Sequence, residues 1–181
     1  MSSELANRLM SAASAESFLR EQGEDFGWQG VAALKSFVDH LVRSDLNRAA
    51  ELCERIDQLA RLAGGAAALA FADAARARVL HHRGRYAQAN ELYTSSAEVL
   101  SGEGLKAEAA FIQAQQVYAL TQAGLYGEAL RLAREARRAL GDDPARLAQL
   151  ETNVGTVYYR LDRYRKALEH YDRARHTGQN G

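Results

Sequence analysis

The sequence predicts an all-α protein, a solenoid of antiparallel helical hairpins, and three observations carry that prediction. Helix formers dominate the 181 residues, and proline occurs once. No convincing strand pattern is present. A stripe that opens on an apolar residue and continues with small or apolar ones returns four times: Leu46, Ala49, Cys53, Ile56; Tyr86, Ala89, Tyr93, Ser96; Tyr126, Ala129, Ala133, Ala136; and Tyr164, Ala167, Tyr171, Ala174. Its leading residues lie 40, 40 and 38 apart (46 to 86, 86 to 126, 126 to 164). A fixed period in that range marks units too small to bury their own apolar faces, which must stack on one another.

Residues 1–30 are expected to form an amino-terminal capping segment. Leu5, Leu9, Met10, Phe18 and Leu19 are its apolar positions, and Ser14 offers a helix cap midway, so one or two short helices are predicted. Gly23, Gly27 and Gly30 break the pattern, and Phe26 and Trp28 are expected to plug the end of the first hairpin. The hairpins are predicted over 31–62, 66–101, 105–140 and 145–176. In the first, Val31, Leu34, Val38, Leu41 and Val42 share one helical face ahead of a turn at Ser44-Asp45. The others turn at Arg83-Gly84-Arg85, Ala123-Gly124-Leu125 and Leu161-Asp162-Arg163. Turns this short force antiparallel packing, and the glycine-rich breaks are expected to separate one hairpin from the next. Gly141-Asp142-Asp143-Pro144 should stop one helix and start another.

Charge and cysteine usage narrow the functional classes. Lys plus Arg and Asp plus Glu both number 23, so no global field steers the chain to nucleic acid or to a membrane surface. Cys53 is the only cysteine and lies on the apolar stripe, which predicts a buried thiol and fits a reducing cytoplasm. The first ten residues carry charges without a sustained apolar run, and nowhere do 18 apolar residues follow one another, so neither a signal peptide nor a membrane span is expected.

The stretch Asn153-Val154-Gly155-Thr156-Val157-Tyr158, followed by Asp162 to Leu168 and Tyr171-Asp172-Arg173-Ala174, resembles a tetratricopeptide (TPR) repeat. The resemblance implies a right-handed superhelix. It also implies that Gly155 and Ala167 are small so that the paired helices approach closely, that Tyr158, Tyr164 and Tyr171 fill the remaining space, and that Ala174 meets the next unit. The third unit keeps Gly124, Tyr126, Glu128-Ala129 and Ala136 but has Val117 and Ala133 where a small residue and an aromatic are usual. The second keeps Ala77, Leu80, Gly84, Tyr86, Ala89 and Tyr93 but has Arg76 at an apolar position, and the first, with Phe37 at its small position, is the poorest match. The period exceeds the family's usual length of about 34, with the excess expected between hairpins. That departure resembles the longer repeats of bacterial regulatory proteins, where such arrays often precede an effector such as a caspase-like protease of the CHAT class.

The resemblance places the first helix of each unit on a concave wall. The partner-binding residues it nominates are Phe71, Arg78, His81 and His82; Phe111, Gln115, Tyr118 and Gln122; and Asn153, Thr156, Tyr159 and Arg160. Aromatic and amide side chains suit an extended peptide or a partner helix. Against this stand two plainer readings, that Phe71 and Phe111 pack between hairpins and that the charges form a solvated face. The two-carboxylate clamp of chaperone-binding members is not carried over, because Ala74, Ala114 and Thr152 occupy the comparable places.

No catalytic, metal or cofactor site assembles from the sequence. His81 and His82 are adjacent and point about 100 degrees apart on a helix, whereas helical ligand pairs come at three- or four-residue spacing. His170 and His176 are six apart, and His40 stands alone. No glycine-rich phosphate loop follows a strand, and Cys53, which would need a nearby histidine and an exposed, electropositive setting to act as a nucleophile, is expected to be buried by its place on the stripe. Arg131, Arg134, Arg137, Arg138 and Arg146 are interleaved with Glu128 and Glu135 at ion-pairing distances, which favours helix stabilisation over nucleic-acid contact.

The expected function is therefore a non-enzymatic protein- or peptide-binding scaffold. The alternative is the sensor region of a larger protein that controls a downstream protease or transcription regulator. The fourth unit runs into Gly178-Gln179-Asn180-Gly181 without a closing helix. Its outer face is accordingly expected to be covered, by self-association or by another molecule, or else the chain is a segment of a longer protein.

Overall fold

A computed structural model describes residues 2–23 and 26–179. Ten α-helices account for most of them: α1 (Ser2–Ser11), α2 (Ala15–Gln22), α3 (Trp28–Leu41), α4 (Leu46–Ala63), α5 (Ala66–His82), α6 (Tyr86–Gly102), α7 (Lys106–Gln122), α8 (Tyr126–Ala139), α9 (Pro144–Arg160) and α10 (Tyr164–Gln179). No strand occurs among the described residues, and no helix among them is long and apolar enough to cross a membrane.

Local chemistry sets the helix ends. Ser14 and Ser17 form a reciprocal capping box at the start of α2, each hydroxyl oxygen accepting from the other's backbone N–H at 3.1 Å. Asp45 and Asp143 cap α4 and α9 by accepting from the Arg48 and Arg146 backbone N–H groups at 2.9 and 3.0 Å, and Pro144 opens α9 where its missing N–H costs nothing.

The three turns that follow α5, α7 and α9 share one backbone solution. Arg85, Leu125 and Arg163 each donate a backbone N–H to the carbonyl five residues earlier, Leu80, Leu120 and Tyr158, at 2.9 Å. That bond closes a helix through a residue in the left-handed region. Gly124 takes this position with φ 79°, and in the last turn Asp162 takes it with φ 57°. A side chain there normally costs about 1–2 kcal/mol. Asp162 recovers part of this by accepting a hydrogen bond from the Tyr164 hydroxyl at 2.7 Å.

Two of the three glycine-rich breaks are no longer than these turns, and the third, residues 140–143, is one residue longer. Only Gly64-Gly65 separates α4 from α5, and Glu103-Gly104-Leu105 separates α6 from α7 by the same closing bond, Leu105 N–H to Leu100 carbonyl at 2.9 Å. The length beyond the usual repeat therefore lies within the helices, 17 residues each for α5, α6, α7 and α9, and not between hairpins.

The chain divides into two compact units, Met1–Val99 and Leu100–Gly181. In the first, α3 packs on α4 and α5, α4 on α5, and α1 and α2 cover α3 and α4. Its core holds Leu9, Phe18, Leu34, Leu52, Ile56 and Leu59, all sealed from solvent. Phe26 meets Phe18 edge-on, whereas Trp28 begins α3 and stacks on Phe71 of α5 at 5.7 Å, so each aromatic plugs a different gap. In the second unit α7 packs on α8 and α9, α8 on α9, and α9 on α10. Its core is built from Ala110, Ala114, Val117, Ala129, Ala133, Ala136, Leu150, Val154 and Val157, and the small residues let neighbouring helices draw close.

Gly155 is the sharpest case. A Cβ placed there would lie 2.5 Å from the Tyr171 ring, so α10 seats that ring where any larger residue on α9 would stand. Ala167 is buried as the sequence implied, but Tyr164 is not a filler: it is 54% exposed, edge-on to Tyr159 at 5.7 Å.

Candidate interaction surface

In the second unit α7 and α9 lie side by side and run parallel. The Asn153 amide donates to the Ala114 carbonyl at 2.8 Å, and the Arg160 guanidinium donates to Gln122 Oε1 at 3.0 Å. These partners are 39 and 38 residues apart, so the two helices are offset by one period of the stripe. At the other end the Arg146 guanidinium sits 5.0 Å above the Phe111 ring and 3.8 Å from Glu108.

The nominated residues of this unit separate into three kinds. Gln115 and Asn153 are buried, and Asn153 serves as a bolt between helices. Phe111, Tyr118, Gln122 and Thr156 are half-buried, with the Thr156 hydroxyl donating to the Thr152 carbonyl at 3.0 Å. Tyr159 and Arg160 are exposed. The part of the α7 and α9 seam that reaches solvent is thus aromatic and amide-rich, with Arg160 at one end and Arg146 at the other.

The first unit treats its nominated residues differently. Phe71 is covered by Trp28, and Arg78 and His81 are buried, while His82 is exposed. Asp39 of α3 receives Lys35 Nζ at 2.7 Å and stands 3.7 Å from Arg78 Nε of α5. Burial, helped by Arg78 and His82, pushes His81 down to about 3, so its imidazole is neutral at physiological pH. Burial also pushes the Tyr93 phenol up. Arg78 and His81 therefore belong to a sealed polar layer in this unit and form no part of a solvated charged face.

A second ionic cluster went unread in the sequence. Glu151 of α9, 2% exposed, receives the Arg137 guanidinium from α8, Arg173 Nε from α10 at 3.0 Å, and faces His170 Nδ1 at 2.7 Å. His170 stacks on Tyr158 at 5.1 Å, and burial together with the Arg173 and Arg137 charges pushes it down to about 4. The available signal was that Glu151 falls on the apolar stripe of Leu147, Leu150 and Val154, as Lys35 falls on that of Val31, Leu34 and Val38. A charge at such a position demands an opposite charge within reach, Asp39 on the same helix for Lys35 and Arg137 and Arg173 on neighbouring helices for Glu151.

Burial first, then Asp39, pushes the Cys53 thiol up to about 12, which keeps it protonated at neutral pH. Of the nominated arginine patch, Arg131 pairs with Glu135 at 3.0 Å and Arg146 with Asp143 at 3.2 Å. Compared with protein-family models, curated proteins and solved structures, the chain finds no match.

Proposed function

We propose that this chain is a helical-repeat scaffold of the TPR-like solenoid kind that binds a protein or peptide along the α7 and α9 wall and performs no catalysis. The observation that carries the reading is the one-period parallel register of α7 and α9, fixed by the Asn153 to Ala114 and Arg160 to Gln122 bonds. Stacked parallel helices in such a register form the ladder on which repeat proteins present side chains to an extended partner. Supporting it, the same turn bond recurs after α5, α7 and α9.

Tyr118, Gln122, Tyr159 and Arg160 would make the contacts. Flat aromatic area with amide and guanidinium donors favours a segment that offers apolar side chains and free carbonyls or carboxylates. The test is quantitative affinity capture from the native cell extract with the wild-type chain and with a Tyr118→Ala/Tyr159→Ala variant. The proposal expects a defined partner whose recovery falls at least tenfold with the variant while helicity is unchanged. Equal recovery by both proteins would remove the wall from the account.

A further inference from the structure

The second unit contains one helix face twice, once partly covered and once bare. Residues 38 apart correspond in α8 and α10: Tyr126 with Tyr164, Leu130 with Leu168, and Arg137 with Arg175. On α8 this face is partly covered: Leu130 is half-buried against the core, Arg137, itself half in water, reaches Glu151 of α9, and α9 lies against the helix. On α10 Leu168 is 63% exposed and Tyr164 54%. Two large apolar side chains one turn apart, each more than half in water, are unusual for a face with a partly covered counterpart in the same unit.

The charges beside this stripe identify what fits it. At about 100 degrees per residue, Tyr164, Leu168 and Arg175 fall within about 40 degrees of one line, and Arg165 and Asp172 both lie on one flank of Leu168, roughly 60 and 40 degrees away. A two-fold axis passing between Leu168 and Glu169 sets α10 antiparallel to a copy of itself. It brings Leu168 against Leu168, places each Arg165 opposite the copy's Asp172, and lays each Arg175 beside the copy's Tyr164 ring. Opposite charges meet on one flank and a cation meets an aromatic on the other.

We infer that α10 is a self-complementary surface that docks on the α10 of a second copy of this chain, forming an antiparallel two-fold dimer. The existing partners of these charges do not oppose it. Arg165 and Glu169 stand 3.6 Å apart with Arg165 almost wholly in water, and Arg175 reaches Asp172 at 3.0 Å on an exposed face. Exposed pairs of this kind exchange readily. One helix pair is a small interface, so the dimer depends on concentration.

Sedimentation equilibrium of the 181-residue chain tests this between about 10 μM and about 1 mM, the range in which interfaces of this size dissociate. The apparent mass should rise from 19.9 kDa toward twice that value. Leu168→Glu should hold it at the monomer value throughout, with unchanged helicity. Arg165→Asp should weaken association roughly tenfold, and Arg165→Asp with Asp172→Arg should restore it. A monomer at every concentration would overturn the inference and leave the face to a different molecule. Association that survives Leu168→Glu, or that the paired reversal fails to restore, would overturn it as well.

Discussion

Both units hold a buried ionic cluster built around one carboxylate, yet the two are solvated in opposite ways. In the first, the cations are sealed: the Lys35 and Arg78 side chains are 2% and 8% exposed around Asp39 at 13%. In the second the carboxylate is sealed, Glu151 at 2%, while Arg137 and Arg173 are about half in water. A cation locked away from solvent depends wholly on its counter-charge, whereas one with half its surface hydrated can survive without it. The first cluster therefore acts as a structural lock between α3 and α5. The second joins α8, α9 and α10 and leaves positive charge at the surface.

The largest effect should come from Asp39→Ala. Removing the carboxylate takes away the counter-charge that the sealed Lys35 and Arg78 share, and the first unit should lose about 3–5 kcal/mol, read by urea unfolding. Gly155→Val comes next, at about 2–3 kcal/mol, because the new Cβ must displace the Tyr171 ring. A loss below about 0.5 kcal/mol would show that α10 can slide away from α9. Glu151→Gln should cost only about 1–2 kcal/mol, since Arg137 and Arg173 retain their water. If it cost as much as Asp39→Ala, the contrast between the clusters would fail.

A smaller effect is expected from pH. His81 and His170 are depressed to about 3 and about 4 when folded, from an ordinary value near 6.5. The unfolded chain therefore binds protons that the folded chain refuses, and stability falls as pH drops below about 6.5 until the folded values are reached. Melting temperature should decline between about pH 6.5 and about pH 5, before ordinary carboxylates titrate, and His81→Asn should flatten that slope. The smallest change belongs to Tyr159→Ala, within about 0.5 kcal/mol, because that ring already stands in water.

Much of the fold could be read from local pattern. The stripes mark the buried faces of α4, α6 and α8 and, from Ala167 onward, the packed face of α10, Ser14 and the Asp143-Pro144 pair mark helix starts, and Gly155 announces a close approach that Tyr171 makes. What stayed hidden depends on contacts between helices. Glu151 occupies an apolar-stripe position because Arg137 and Arg173 on neighbouring helices neutralise it, 14 and 22 residues away. Lys35 does so because Asp39, one turn along α3, neutralises it, and Asp39 in turn faces Arg78 across 39 residues of sequence. Repeat equivalence misled in the same way. Arg78, Tyr118 and Thr156 occupy one register position, as do His82, Gln122 and Arg160. Arg78 is drawn inward by Asp39 while Arg160 reaches out to Gln122, so the neighbouring helix decides whether a wall residue is offered to a partner. The TPR resemblance implies that Tyr164 fills space, yet Tyr126, 38 residues earlier in the same stripe position, packs on the core and Tyr164 does not.

Hydrogen exchange of the chain with and without its captured partner tests the central claim most directly. A wall on α7 and α9 predicts slowed exchange and side-chain footprinting protection within residues 111–122 and 146–160, with the outer surfaces of α8 and α10 unaffected. Protection confined to α8 or α10, with α7 and α9 exchanging as in the unbound chain, would contradict it.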